Sequence, residues 1–217
     1  MAKQGARVER LTGRANTWIV GDDDEVIVID PGEDAPAVLD AVGQREILAV
    51  ICTHGHGGHT GAALEVAARD EAPVALHPGD KNAWREVHPG DDPEIDMEDG
   101  GRFEVGDVTL EVLHSPGHSR GSCCLYCEEL DVLFSGDVVT ADGPVARADG
   151  FPAWSKQLDA IGAQVLTLPA ATRILPGHGD ELTVAIAEKR FNSWISAGQD
   201  SGNESDGFGS VEHDGAE

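Results

Sequence analysis

Short apolar runs, cut by glycine, proline and acidic turns, dominate the first half of this chain. Trp18-Ile19-Val20 and Val26-Ile27-Val28-Ile29-Asp30 are β-branched runs joined by the turn GDDDE, a pattern that predicts two paired strands. Asp30-Pro31-Gly32 closes the second run, and Ala35 to Val42 carries apolar residues at helical intervals. Ile47 to Cys52 is apolar throughout, which predicts a strand buried on both faces. It runs directly into THGHGGHTG, and Thr60 to Arg69 is Ala-rich with helical spacing, so that glycine-rich stretch falls on a strand-to-helix loop. Val74 to Leu76 predicts a short strand and Asp80 to Val87 a helix, while HPGDDPEIDMEDG (88–100) has a loop composition. From Gly101 the rhythm changes. RFEV, VTLEVLH, SCCLYC and DVLFSGD follow one another at hairpin spacing and predict an antiparallel sheet. Helical segments return at Ala153 to Ile161 and Thr183 to Trp194, with a strand at Arg173 to Leu175 between them.

Strand–helix alternation, then hairpins, then strand–helix units again predict two mixed sheets face to face with helices on both outer faces, an αββα sandwich of the α/β class. We expect one domain over residues 1–197 and an acidic disordered tail over 198–217, where QDSGNESDGFGSVEHDGAE offers almost nothing to bury. His213 lies in that tail and is excluded from any site.

Charge narrows the partners. Fifteen basic residues against forty acidic ones give a net charge of −25, which repels phosphates and argues against nucleic acid or an anionic membrane surface. The expected partner is a small-molecule substrate, and oligomeric state is left open. The opening MAKQGARVERLTG lacks the apolar core of a signal peptide, and the longest apolar run falls far short of the ~20 residues of a membrane span. A cytoplasmic location is therefore expected. The four cysteines (Cys52, Cys123, Cys124, Cys127) sit in strand-like surroundings and read as buried free thiols rather than a metal knuckle.

Four places share one local design: a strand ends, glycine or proline follows, and a metal-capable side chain is presented. They are His54, His56 and His59 after ILAVICT, His118 in LHSPGHSRGS, Asp137 in VLFSGDVV, and His178 in ILPGHGD. Strand ends are rigid anchors, and glycines let the backbone approach a cation closely. Imidazole and carboxylate ligands suit zinc, and iron or manganese accept the same set. His77 and His88 precede prolines and read as structural or surface residues. His114 could support His118 or simply pack, and Arg120 and Ser122 are candidates for a substrate carboxylate.

These motifs, in this order, resemble the metallo-β-lactamase superfamily. THGHGGHTG resembles its HxHxDH motif, LHSPGHSRGS its (T/S)PGHxxGS loop, FSGD its bridging-aspartate motif, LPGHG its last histidine motif, and Val28 to Gly32 its VDPG turn. Within the superfamily the chain is most similar to the hydroxyacylglutathione hydrolase (glyoxalase II)-like branch. That resemblance implies the αββα fold and a cytoplasmic metal-dependent hydrolase of a small thioester, or a related ester or lactone, using a metal-activated water. By the same resemblance His54, His56 and His118 hold a first Zn2+, His59 and His178 a second, and Asp137 bridges them, so that His54, His56, His118 and Asp137 carry the catalysis; iron or manganese are alternatives. Asp30 then orients a liganding histidine from behind.

The chain departs from the pattern at one position. Gly58 stands where the superfamily has its second-metal aspartate, so one tight and one weakened metal site are expected. The glutathione enzymes also carry a C-terminal helical domain; folding here is expected to stop near Ile195, which favours another low-molecular-weight thiol carrier. Two alternatives remain. A mononuclear iron persulfide dioxygenase-like enzyme would carry a GRTDF-like segment after the bridging aspartate, where this chain reads VVTADGPVARADGFPAWSKQ. A degenerate, non-catalytic metal-binding member would show no turnover with any metal.

Overall fold

A computed structural model describes residues 5–145 and 154–202. Strands β1 (Arg7–Thr12), β2 (Asn16–Gly21) and β3 (Glu25–Ile29) lead into helix α1 (Ala35–Val42), strand β4 (Glu46–Ile51), and helices α2 (Gly57–Thr60) and α3 (Ala63–Ala68). Next come β5 (Val74–Leu76), a 3-10 turn at Pro78–Asp80, α4 (Lys81–Val87) and β6 (Ile95–Asp96). The hairpin strands are β7 (Arg102–Val105), β8 (Val108–His114), β9 (Cys123–Cys127) and β10 (Val132–Gly136). Helix α5 (Trp154–Ala160) passes into π-helical turns at Ile161–Val165, followed by β11 (Arg173–Pro176), β12 (Leu182–Thr183) and α6 (Val184–Gly202).

The first sheet has the order β1-β2-β3-β4-β5-β6 and the second β12-β11-β10-β9-β8-β7. Both are mixed: β1 to β3 pair antiparallel and β3 to β6 parallel, whereas β7 to β10 pair antiparallel and β10 to β11 parallel. Three buried layers separate the elements. Trp18, Val20, Ile27 and Ile29 meet Leu110, Val112, Leu125 and Phe134 between the sheets. The alternate residues Ile19, Val26 and Val28 face α1 and α3 on the outside, with Val38, Ala63 and Val66. Leu133 and Ile174 face Leu158, Ile161 and Ala187 on the other side. This is the predicted αββα sandwich. Burial on both faces explains why β2, β3, β4 and β10 each carry a continuous apolar run rather than alternating.

The differences from expectation fall at edges. β1 and β12 each close one side of a sheet, and β6 is a two-residue strand inside the stretch expected to be a loop. The predicted helix over Thr60 to Arg69 starts three residues earlier as α2 and breaks at Gly61-Ala62 before α3. α6 runs to Gly202, past the expected end at Trp194; residues 203–217 of the acidic tail, and Ala153 of the predicted helix, lie outside the described residues. The cysteines alternate as the strand requires, Cys123 and Cys127 toward the central layer and Cys124 toward the helices, and all four are buried and free. Burial raises each thiol, which suppresses the thiolate that would bind metal or attack a substrate. No helix among the described residues is long and apolar enough to cross a membrane.

Candidate metal centre

β3 and β4 are parallel neighbours, so their C-terminal ends lie side by side at one end of the sandwich. From the first end Asp30 departs with φ 50°, a left-handed turn that swings its carboxylate toward the second. Its Oδ1 accepts the Thr53 N–H at 2.7 Å. Its Oδ2 accepts the Thr53 hydroxyl at 2.7 Å and the His59 Nδ1–H at 2.9 Å. Thr53 Oγ1 in turn accepts the His54 Nδ1–H at 3.1 Å. One carboxylate therefore assigns the tautomer of two imidazoles, directly for His59 and through Thr53 for His54. Each presents Nε2 to the same cleft.

The second sheet supplies the opposing wall. His118, after β8, donates Nδ1–H to the Val145 carbonyl at 3.0 Å, which turns its Nε2 inward to within 3.0 Å of His56 Nδ1. Asp137, after β10, is fixed through its backbone: Gln157 on α5 donates Nε2–H to the carbonyls of Asp137 (3.1 Å) and Val138 (2.9 Å). Asp137 Oδ2 then lies 3.5 Å from both His59 Nε2 and His118 Nε2, and 3.9 Å from His54 Nε2. His178, after β11, meets Asp137 Oδ1 through Nδ1 at 2.6 Å, and its side chain is 43% exposed, unlike the others. The parallel pairing of β10 and β11 brings those two strand ends together as β3 and β4 do on the first sheet.

The structure thus brings all six candidate ligands together. His54, His56 and His118 converge within 4.8 Å as one possible ion-binding group, and His59, Asp137 and His178 as another. Asp30, His54 and His59 also converge within that distance, but both Asp30 oxygens are already committed to hydrogen bonds, so Asp30 orients rather than ligates.

Whether a cation fits is decided by two atoms. His54 Nε2 and His59 Nε2 are buried and without a hydrogen-bond partner. A buried polar atom with no partner costs free energy of about 1–3 kcal/mol, and a cation in the cleft would satisfy both. Electrostatics agree. Burial, together with the neighbouring His59, His118 and His56, holds His54 well below the usual imidazole range, neutral and able to coordinate. Burial works against protonation of His59 too, but the Asp30 and Asp137 carboxylates outweigh it and raise its pKa to about 10, so the same carboxylates favour positive charge at Nε2 and a cation there would take the place of a proton. Burial disfavours ionised Asp137, yet the hydrogen bond with His178 and the nearby His59 and His54 rings hold it well below the usual carboxylate range. An anion ringed by imidazoles is the donor set of a divalent transition-metal site.

Gly58 leaves an opening. A Cβ built there meets nothing within 4 Å, so the position next to His59 has room for the missing carboxylate. A groove of about 610 Å3 between the β1–β2 turn and α1 is lined by none of the six ligands.

The remaining sequence candidates stand away from the cleft. His77 and His114 stack on each other with ring centroids 4.0 Å apart and planes 11° apart, and His114 donates Nε2–H to the Arg120 carbonyl. His88 packs on Trp84 and donates Nε2–H to the Thr60 carbonyl, a structural role. Ser122 is buried and its Oγ accepts the Ser119 N–H, so it is not available to a substrate carboxylate; Arg120 is exposed. Sequence reasoning missed Thr53, Asp80 and Gln157. Only Thr53 left a signal, its position between an apolar strand and the first histidine.

Comparison with known proteins agrees with this geometry. The family model described as "Metallo-beta-lactamase superfamily" matches residues 11–178. The chain is 32% identical over 199 residues to the probable metallo-hydrolase YqgX of Bacillus subtilis, covering 84% of this chain and 93% of the relative. It is 33% identical to the acyl-coenzyme A thioesterase MBLAC2 of Gallus gallus, covering 76% and 72%. Among solved structures it is similar to BLEG-1 B3 metallo-beta-lactamase, with 27% identity, TM-score 0.75 and coverage of 84% and 97%. It is also similar to TTHA1623 in a di-iron-bound form, with 28% identity, TM-score 0.68 and the same coverage. ETHE1 from Myxococcus xanthus, at 21% identity and TM-score 0.74 over 90% of this chain and 91% of its own, shares the fold.

Proposed function

Because this chain belongs to the metallo-beta-lactamase superfamily, we propose that it is a metal-dependent hydrolase of a small thioester. The observation that carries the reading is the pair of buried, unpartnered nitrogens, His54 Nε2 and His59 Nε2, aimed at the Asp137 carboxylate. His54, His56 and His118 would hold the first ion, and His59, His178 and the shared Asp137 the second. Such an ion supplies Lewis acidity toward a carbonyl oxygen and lowers the pKa of water towards ~7.

The protein's own groups do the rest. Asp30 and Thr53 hold the His54 and His59 rings in one tautomer, so their ligand nitrogens need no reorganisation. Asp137 Oδ2, midway between the two histidine groups, is placed to accept a hydrogen bond from the attacking water and keep it on line. A thioester suits this arrangement, because a thiol with pKa ≈ 8.5 departs as thiolate without a dedicated general acid. Every imidazole in the cleft is otherwise committed. Likeness to a protein described as an acyl-coenzyme A thioesterase supports the same substrate class. The choice of metal stays between zinc and iron: the ligand set accepts either, and the similar TTHA1623 is described with two irons.

The test is metal content per chain, measured with hydrolysis of a panel of acyl thioesters. Bound metal with turnover carries the reading. A fully folded protein that binds none and hydrolyses none overturns it, and iron with oxygen consumption and sulfite release would move the assignment to a persulfide dioxygenase.

A further inference from the structure

Asp80 occupies the residue before α4, where an aspartate ordinarily caps the helix by accepting its first N–H groups. It does not do so. Its side chain makes no capping hydrogen bond and turns away from the helix. The carboxylate is 3% exposed and gives its acceptors to two other segments. Oδ2 accepts the Gly55 N–H at 2.9 Å and the Ser119 hydroxyl at 2.6 Å, and Oδ1 accepts the Gly121 N–H at 2.7 Å.

Those three donors are not scattered. Gly55 lies between His54 and His56, and Ser119 follows His118 directly. The segments come from different sheets, the first after β4 and the second between β8 and β9. The glycines belong to the same arrangement. A Cβ at Gly55 would lie 2.7 Å from the Asp80 carbonyl oxygen, and one at Gly121 2.8 Å from the Asp80 nitrogen. Both loops press against Asp80 too closely for any side chain to intervene. Ser119 is held in turn, its N–H donated to Ser122 Oγ at 2.9 Å.

We infer that Asp80 is a positioning residue that ties the His54–His56 loop to the His118 loop and so sets the spacing of the first metal's three ligands. The inference rests on those histidines holding a metal, as proposed above. A buried carboxylate with three protein donors is a rigid node, because ionised acceptors make short, strong hydrogen bonds and moving one loop would strand the others. Asp80 itself is no ligand, since both oxygens are occupied. It acts on ligand geometry through the Gly55, Ser119 and Gly121 contacts.

The experiment titrates the full-length metal-free protein with Zn2+ against a chromophoric chelator, and with Co2+ while recording its d–d absorption, alongside thermal unfolding without metal. Asp80→Asn keeps the shape and loses one acceptor. The expected results are about 10–100-fold weaker metal affinity, the range found when groups orienting a ligand are lost, and a changed Co2+ spectrum. Ser119→Ala removes one of the three bonds and is expected to show a smaller shift in the same direction. Asp92→Asn removes an exposed carboxylate that pairs with Arg85 and should match wild type in both readouts. A purely structural role lowers the metal-free melting temperature and leaves affinity and spectrum unchanged; that outcome in Asp80→Asn overturns the inference. Should Asp80→Asn fail to fold, Ser119→Ala decides, and wild-type affinity and spectrum there overturn it equally. A wild type that binds neither ion removes the premise and fails the functional proposal itself, a result distinct from either variant outcome.

Discussion

The two halves of the candidate centre are built to different standards. On the first side His54, His56 and His118 are gathered from two loops that share one buried anchor, Asp80. Two of the three rings have an assigned partner on the far nitrogen, Thr53 for His54 and the Val145 carbonyl for His118. On the second side His59 is as well held, by Asp30, but His178 is partly exposed and its other contact is Asp137 itself. Next to His59, a Cβ at Gly58 would meet nothing within 4 Å. What separates the halves is support and ligand count: with Asp137 shared, the first side would have four protein donors and a scaffold behind it, the second three donors and an opening. Metal affinity follows both, because each further donor adds attraction and a held ligand pays less to be ordered.

That contrast can be broken most sharply at the first side. His56→Ala removes one of its three nitrogens and should abolish tight metal binding, with kcat/KM falling about 10^3-fold or more, the scale of losing a Lewis acid worth several kcal/mol. Steady-state kinetics with elemental analysis check it, and retained turnover would show that the second side carries the reaction alone. Asp30→Asn, whose carboxylate serves His59 directly and His54 through Thr53, should weaken both sides together by about 10–100-fold in metal affinity; a loss confined to one metal would contradict the shared-anchor geometry. Thr53→Val keeps the volume but strands the His54 Nδ1–H, so a drop of about tenfold restricted to the first metal is expected in stepwise metal titration. The smallest change sharpens the contrast instead of breaking it. Gly58→Asp fills open space, and should raise occupancy of the second metal from partial to full and the rate by a few-fold, at most about tenfold. If wild type already holds two ions tightly, the opening at Gly58 is not a weakness.

The same division separates what the sequence declares from what it conceals. β2, β3, β4 and β10 announce themselves because burial on both faces forces unbroken apolar runs. β1 hides because it is an edge strand whose residues are mostly half-buried, and β6 and β12 are two residues each, too short for any periodicity. The six candidate ligands are legible for a local reason: each lies beside a glycine on a segment that follows a strand, and the arrangement recurs along the chain. Asp80 and Gln157 leave no such mark. Asp80 bonds backbone 25 and 41 residues away and Gln157 a carbonyl 20 residues away, and a peptide N–H or C=O looks the same in any sequence. Groups that touch metal are written in side chains; groups that position them are written in topology.

The order of the strands carries one more consequence. Each sheet is assembled from consecutive strands, and among the described residues the chain crosses from one sheet to the other once, between β6 and β7. His54, His56 and His59 belong to the segment before that crossing, and His118, Asp137 and His178 to the segment after it. Neither candidate group can be completed within one segment, since each draws on both. Each sheet can assemble from contacts near in sequence, which form early, whereas the centre exists only once the two sheets have docked. An ion bound there is a staple across the interface, and the stability it adds is the stability of docking. If the six candidate ligands hold an ion, its affinity is therefore a gauge of how firmly the two sheets hold together.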